Sequence, residues 1–365
     1  MKKVFLSVIF TILLFACQKN NEIIPNSTSN FYFPAPNPNA IWENSTPEEL
    51  AWDVSKINNL LTFLEQNNTR AFIVLKNGKI VMENYFNNNL LGTKFTASNN
   101  WYWASAGKTL TSFLIGKALE EKKLTLSQKS SDFLGKSWSS LSAEQEALIT
   151  VKNHINMTTG LDDNVANKDC TTPNCFKYLT APNTRWAYHN APYTILDKLL
   201  EKATNQDFDS YFNSRLRDKI GMDGFWQYTD DNHVYFSTPR SMARFGLLIL
   251  AKGKWQNEVI LDEQNYYKEM LNSSQNINPS YGYLWWLNGK SSFMAPGLQT
   301  VFQRSLSPNA PADLVAALGK NGQLICVVPS QNLVVIRMGN NPDNSLVPIN
   351  FHDQMWEKLN EVIKK

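Results

Sequence analysis

The sequence predicts an α+β fold: one antiparallel sheet built from both ends of the chain, flanked by helices, with a mainly helical insertion between them. Three observations carry this. Short β-rich runs sit near both termini, at Ala71–Leu75 and Lys79–Phe86 and again between Asp313 and Met338. The middle, roughly 100–270, shows apolar residues at helical spacing separated by polar connections. Consecutive elements pack beside one another, so strands from the two ends are most economically joined in one sheet. With 43% hydrophobic and 12% aromatic residues over 365 positions, the chain has ample material for a core, and intrinsic disorder is excluded.

Taken in order, the chain opens on Met1-Lys2-Lys3 and an apolar run from Val4 to Phe15. The run is too short to span a bilayer, which needs about 20 apolar residues. A charged start, a short apolar stretch and a small residue together read as a secretory signal over 1–16. Leu14-Phe15-Ala16-Cys17 resembles the lipobox of bacterial lipoproteins, in which the cysteine becomes the acylated first residue. Residues 17–45, rich in Asn, Ser and Pro, read as a lipid-anchored tether ahead of a domain over 46–365. The expected location is therefore that of an exported bacterial lipoprotein, facing the periplasm or cell surface, with membrane contact only through that anchor.

Thr46-Pro47-Glu48-Glu49 combines an N-cap, a proline at the first helical position and a glutamate at N3, which predicts a helix start. Ile57, Leu60, Leu61 and Leu64 place a helix next. Asn77-Gly78 joins the two N-terminal strands, since both residues tolerate positive φ in a tight hairpin turn. A helix over Thr109–Glu120 buries Leu110, Phe113, Leu114 and Ala118, and another lies near Tyr193–Glu201. Toward the C-terminus come strands Asp313–Leu318, Gln323–Val328 and Leu333–Met338, then a helix over Phe351–Ile363 with Met355, Leu359 and Val362 on one face.

Charge excludes some partners. The formal net charge is +3, falling to +1 without Lys2 and Lys3. Nothing in that balance attracts nucleic acid or an anionic surface. The four cysteines divide into the lipidation candidate Cys17, a close pair Cys170 and Cys175 able to staple one loop in an oxidising compartment, and Cys326 in an apolar run. No G-x-S-x-G elbow, phosphate loop or paired-His motif occurs, so no metal or organic cofactor is implied.

Ser105-Ala106-Gly107-Lys108 is the one S-x-x-K in the chain. It stands at the start of the Thr109 helix, where residues three apart bring their Cβ atoms within roughly 5–6 Å. A hydroxyl there gains from the partial positive charge of the helix end, and a desolvated lysine can accept its proton. Alone, the tetrapeptide reads better as an N-capping serine followed by a solvated lysine. A second element, Tyr188-His189-Asn190, follows the turn-rich Ala181–Ala187.

Ser105-x-x-Lys108 followed by Tyr188-x-Asn190 resembles the serine β-lactamase and penicillin-binding superfamily. The nearest branch is that of class C β-lactamase-related serine hydrolases, with its esterases and 6-aminohexanoate-oligomer hydrolases. Ile149–Leu161, Ser237–Gly246 and Tyr281–Trp286 look similar to the same family. Gly319-Lys320-Asn321-Gly322-Gln323 resembles its G-x-x-G-Q variant of the edge-strand motif, in place of Lys/His-Thr-Gly; the alternative is that Lys320 stands in as the cation of a K-x-G triplet. The resemblance, from about residue 47 to 363, implies a β-lactamase/transpeptidase-like fold and a serine nucleophile, Ser105, that forms an acyl-enzyme. Lys108 and Tyr188 would share its proton, an adjacent Lys108 ammonium lowering the Tyr188 phenol. Asn190 would hold Lys108 and substrate, and the Lys320 N–H would pair with that of Ser105 as oxyanion hole, with Asn321 and Gly322 beside it. His189 reads as a spacer, and Trp101, Trp103, Trp186, Trp285 and Trp286 as candidate cleft lining. A small ester or amide is the expected substrate. The alternatives are a D-Ala-D-Ala carboxypeptidase or β-lactamase, or a non-hydrolytic penicillin-binding sensor.

Overall fold

In the computed structural model, which describes residues 31–262 and 264–364, the two ends of the chain meet in one sheet. Strands β1 (Thr69–Lys76) and β2 (Lys79–Tyr85) form the N-terminal hairpin, with Asn77 at φ 51° and Gly78 at φ 83° in its turn. Both residues occupy the left-handed region that such a two-residue connection requires. From the far end of the chain come β6 (Trp286–Leu287), β7 (Val315–Gly319), β8 (Gln323–Val328) and β9 (Leu333–Gly339). The sheet order is β2-β1-β9-β8-β7-β6, antiparallel throughout. The two ends join where β1 pairs with β9, Ile73 opposite Ile336.

Strands β8 and β9 are buried along their whole length. They are covered on both faces, which is why they read as unbroken apolar runs. Helices α1 (Ile57–Gln66) and α7 (Ile349–Ile363) pack on one another, with α1 against β1. Helix α6 (Pro239–Leu250) crosses β9, β8 and β1. A Cβ on Gly246 of α6 would come within 2.5 Å of Val334 Cγ1, so glycine lets helix and sheet approach closely. Helix α2 (Lys108–Glu120) is enclosed nearly all round, ten of its thirteen residues being buried.

Several expectations change. Thr46-Pro47-Glu48-Glu49 makes the expected capping contacts, Thr46 N–H to Glu49 Oε2 at 2.9 Å and Glu49 N–H to Thr46 Oγ1 at 3.2 Å. It forms one turn only, because Ala51 adopts φ 56° and turns the chain away. Residues 31–45 are not tether. Phe31, Tyr32 and Phe33 pack on the core, Trp42 is buried, and Arg244 donates to the carbonyls of Ala35 and Asn37. The signal segment, Cys17 and residues 18–30 lie outside the described residues.

The middle of the chain also holds a second small sheet: β3 (Trp101–Tyr102), β4 (Phe225–Thr229) and β5 (Asn232–Ser237), in the order β3-β5-β4. The expected strand at Asp313 begins at Val315, since Asp313 instead accepts from Ser330 N–H and Oγ–H. The expected helix near Tyr193 is observed as α4 (Asn190–Thr194) and α5 (Leu196–Thr204), with α3 (Val151–Ile155) before them.

Candidate active site

Ser105 occupies a tight turn, Ala104–Gly107, that runs straight into α2. Strand β3 carries the chain into it, pairing with β5, and the Trp103 N–H donates to Tyr235 O at 2.8 Å. Ala104 is held at φ 46°, a left-handed conformation that costs an alanine roughly 1–2 kcal/mol. Strain of this kind persists where the surroundings over-determine it, and it clusters at functional sites. The surroundings here are close. A Cβ on Gly319, at the end of β7, would lie 2.6 Å from Trp103 O and 2.9 Å from Ala106 N. The absence of a side chain at Gly319 thus lets β7 press against the serine turn.

Ser105 is half-buried and Lys108 is only 4% exposed. One helical turn separates them, and Lys108 Nζ lies 3.2 Å from Ser105 Oγ. The other neighbours of the ammonium are ring faces, with the Tyr193 centroid at 4.2 Å and that of Tyr188 at 5.4 Å. Burial drives the Lys108 ammonium down to about 7, while the charges of Asp169 and Asp197 oppose that fall. A lysine so placed is deprotonated in a useful fraction at neutral pH.

Tyr188 is positioned by its neighbours in sequence. Ala187 N–H donates to Met157 O at 3.0 Å, and Gln299 Nε2 donates to Trp186 O at 3.1 Å. The Tyr188 ring stacks on Trp286 at 5.9 Å and meets the Tyr281 ring edge-on at 6.1 Å. Its hydroxyl interacts with Ser105. The expectation that Lys108 lowers the phenol is reversed: burial pushes Tyr188 well above the usual tyrosine range, and only the Ser105 hydrogen bond opposes it. The low-affinity partner for a proton is the lysine, so the phenol stays protonated.

The remaining expected residues fall near this centre with altered contacts. Asn190 begins α4, and its Nδ2 donates to Asp169 Oδ1 at 2.8 Å, where a bond to Lys108 had been expected. Lys320, Asn321 and Gly322 form the turn between β7 and β8. Lys320 is exposed, Asn321 adopts φ 63° and donates to the Tyr102 hydroxyl at 2.8 Å, and Gly322 is buried. The five tryptophans expected to line the cleft are at most 1% exposed. Trp186 and Trp286 support Tyr188 from behind instead of facing solvent. His189 is buried.

Sequence reasoning missed four residues that shape this site. Arg337 donates from its guanidinium to the carbonyls of Asn321 and Gly322 and so fixes the turn after β7. Tyr193 covers Lys108, three positions after Asn190, one helical turn on; that spacing was available in the sequence. Asp169 and Asp197 reach the lysine only through tertiary structure. Asp169 precedes Cys170, which is joined to Cys175 by a disulfide. Cys326 is a free, buried thiol beside His352, pushed up to about 12 by burial. Among the described residues no group of three or more His, Cys, Asp or Glu is arranged to hold a metal.

The beta-lactamase family model matches residues 64–350. No curated protein matches the sequence. Solved structures do match in fold. A Bacillus anthracis protein provisionally named a 6-aminohexanoate-dimer hydrolase shares 18% identity over 90% of this chain and 89% of its own, with a TM-score of 0.67. A Bacteroides dorei protein provisionally named a beta-lactamase shares 15% identity over 86% of this chain and 100% of its own, with a TM-score of 0.66. A penicillin-binding protein from Bacillus halodurans shares 14% identity over 82% of this chain and 99% of its own, with a TM-score of 0.59.

Proposed function

The chain belongs to the beta-lactamase family of hydrolases, and from that premise we propose that it is a serine hydrolase cleaving a small ester or amide through an acyl-enzyme on Ser105. One observation carries this reading: Lys108 Nζ lies 3.2 Å from Ser105 Oγ in an enclosed setting that brings the ammonium down to about 7. A nucleophile beside a base that is part-neutral at working pH is the pairing that covalent catalysis needs.

The reaction runs in two halves. Ser105 Oγ attacks the substrate carbonyl while its proton passes to neutral Lys108. The resulting oxyanion is held by the N–H groups of Ser105 and Lys320, a pairing supported by the close approach of Gly319 to the serine turn. Such donors are commonly worth about 3–4 kcal/mol each. The carbon–leaving-group bond then breaks as Tyr188, a neutral phenol, donates its proton to the departing oxygen or nitrogen and recovers one from Lys108. In the second half water attacks the acyl carbonyl. Its proton passes through Tyr188 to Lys108, the ester bond breaks, and Ser105 regains its hydrogen.

The turn sequence Gly319-Lys320-Asn321-Gly322-Gln323 favours esters and amides over β-lactams, because the Lys-Thr-Gly triplet that meets an antibiotic's carboxylate in the family is absent. The lipobox-like Leu14-Phe15-Ala16-Cys17 supports a separate part of the proposal, that the protein is exported on its signal segment and anchored through Cys17. p-Nitrophenyl esters, 6-aminohexanoate dimer, nitrocefin and a D-Ala-D-Ala peptide, each offered to wild type and Ser105→Ala, test the hydrolase reading. Ester or amide turnover should fall by about four orders of magnitude or more in Ser105→Ala. Turnover that survives the substitution removes Ser105 as nucleophile, and a stable penicillin adduct without turnover favours a sensor. A mature N-terminus other than acylated Cys17, read by mass spectrometry, overturns the anchor.

A further inference from the structure

Lys108 faces a second, deeper ionisable pair. Its Nζ sits 4.2 Å from the centroid of the Tyr193 ring, and Tyr193 precedes Asp197 by four residues. The connecting Ile195 keeps right-handed helical angles, φ −68° and ψ −11°, so Tyr193 and Asp197 share one helical face. Asp197 is only 5% exposed. Its Oδ2 accepts from His233 Nδ1 at 2.9 Å, while Oδ1 has no hydrogen-bond partner among the described residues. An under-satisfied buried carboxylate is expensive and adds nothing to stability.

His233 is held in place by three rings: Tyr228 stacked at 4.3 Å, Trp226 at 5.0 Å and Phe208 at 5.5 Å. The other charged and titratable groups facing Asp197 are Glu201 one turn on, Asp209 beyond it, and the phenols of Tyr193 and Tyr228. Those facing Lys108 are Tyr188, Tyr193, Asp169 and Asp197.

We propose that Asp197, held by His233, is a positioning residue for the reaction: its buried charge, across the Tyr193 ring, sets how readily Lys108 takes up a proton and so the pH range in which Ser105 reacts. The inference rests on the reading of Lys108 as the base. Its sign follows from charge. An Asp197 carboxylate attracts the Lys108 ammonium and resists its deprotonation, offsetting part of the desolvation that brings it down. Asp197 is itself pushed up to about 6 by burial, with the His233 hydrogen bond working against that rise. The two groups therefore titrate in neighbouring ranges as a coupled pair. Removing the carboxylate makes Lys108 lose its proton at lower pH. Removing His233 leaves more Asp197 protonated and acts in the same direction, more weakly.

Phosphonylation of Ser105 by a fluorophosphonate, followed by intact mass between pH 5 and 9, reads this directly. The Oγ–P bond forms, fluoride departs, and the serine proton goes to Lys108. The wild-type rate should rise through pH about 7. In Asp197→Asn the midpoint should fall by about one unit or more, the scale of a unit charge within about 12 Å at an effective dielectric near 20. In His233→Phe, which keeps the aromatic cage filled, it should fall by less, and in Asp197→Glu it should stay near the wild-type value. A midpoint unchanged in folded Asp197→Asn, or in folded His233→Phe should Asp197→Asn not fold, overturns this inference alone. Failure of wild-type Ser105 to label, or equal labelling in Ser105→Ala, overturns the hydrolase reading and this inference with it.

Discussion

Lys108 and Arg337 are both buried cations, 4% and 0% exposed, and they differ in the kind of cation and in what holds it. Arg337 is saturated. It donates to the carbonyls of Asn67, Asn321, Gly322 and Asn340 and to Thr69 Oγ1, and its guanidinium lies 4.8 Å from the Phe351 ring centroid. Burial brings it down only to about 9, so it remains charged at neutral pH. Lys108 has one hydroxyl and two ring faces, and falls to about 7. Burial lowers both by a similar amount, and Arg337 keeps its proton because a guanidinium starts from the higher proton affinity, while the oxygen acceptors fix where it points. The saturated cation braces the turn after β7, and the starved one is free to act as a base.

The sharpest way to break this contrast is to make Lys108 behave like Arg337. Lys108→Arg puts a cation that does not deprotonate beside Ser105. Ester turnover should drop by about three orders of magnitude or more, toward the upper end of what general-base catalysis supplies, while circular dichroism shows a folded chain. A variant retaining a tenth of the activity would show that proton uptake by residue 108 is not needed. The reverse exchange addresses stability. Arg337→Met leaves the buried Gly322 carbonyl and the part-buried carbonyls of Asn67 and Asn321 without their donor, a buried one costing about 1–3 kcal/mol. Urea unfolding should show a loss of about 3 kcal/mol or more, and the 320–322 turn should loosen.

The wild-type pH profile tests the same contrast without mutation. Protonated Lys108 cannot accept the serine proton, so kcat/KM should rise about tenfold per unit below its midpoint near pH 7 and level off above it. Tyr188, pushed upward, should add no alkaline fall before about pH 10. An acid limb near pH 4–5 would assign the base to a carboxylate and remove Lys108 from the role.

How far sequence reaches into this site follows from which of these contacts are local. Ser105 and Lys108 sit one helical turn apart, so spacing alone joins them. Tyr188 needs the second motif. Arg337 meets the 320–322 turn by strand pairing, with Leu324 opposite Arg337, and the sequence gives no hint that its side chain points into carbonyls. Asp169 and Asp197 approach Lys108 only once the helical lobe has folded. The direction of the Tyr188 shift was misjudged for the same reason, since desolvation depends on tertiary enclosure and not on the neighbouring letter.

The fold divides similarly. Strand β8 matches its expected bounds, Gln323–Val328, because a doubly buried strand is an apolar run. Strand β4 was missed: only Trp226 of its five residues is buried, so neither alternation nor a run marks it out. The turn at Thr46 had every local signal of a helix and was stopped by the conformation of Ala51.

The smallest expected effect concerns the loop that carries Asp169. The disulfide closes a short ring, so removing it with paired Cys170→Ser and Cys175→Ser should cost about 2 kcal/mol or less by chain entropy. Asp169 keeps its contact with Asn190 Nδ2, yet the loop before Cys170 loses its covalent restraint. Because the Asp169 carboxylate raises the proton affinity of Lys108, a looser Asp169 lowers it. The acid limb should move to lower pH by a few tenths of a unit, less than in Asp169→Asn, where the charge is lost outright. A limb moving upward would mean that Asp169 acts on Lys108 through Asn190 positioning and not through its charge.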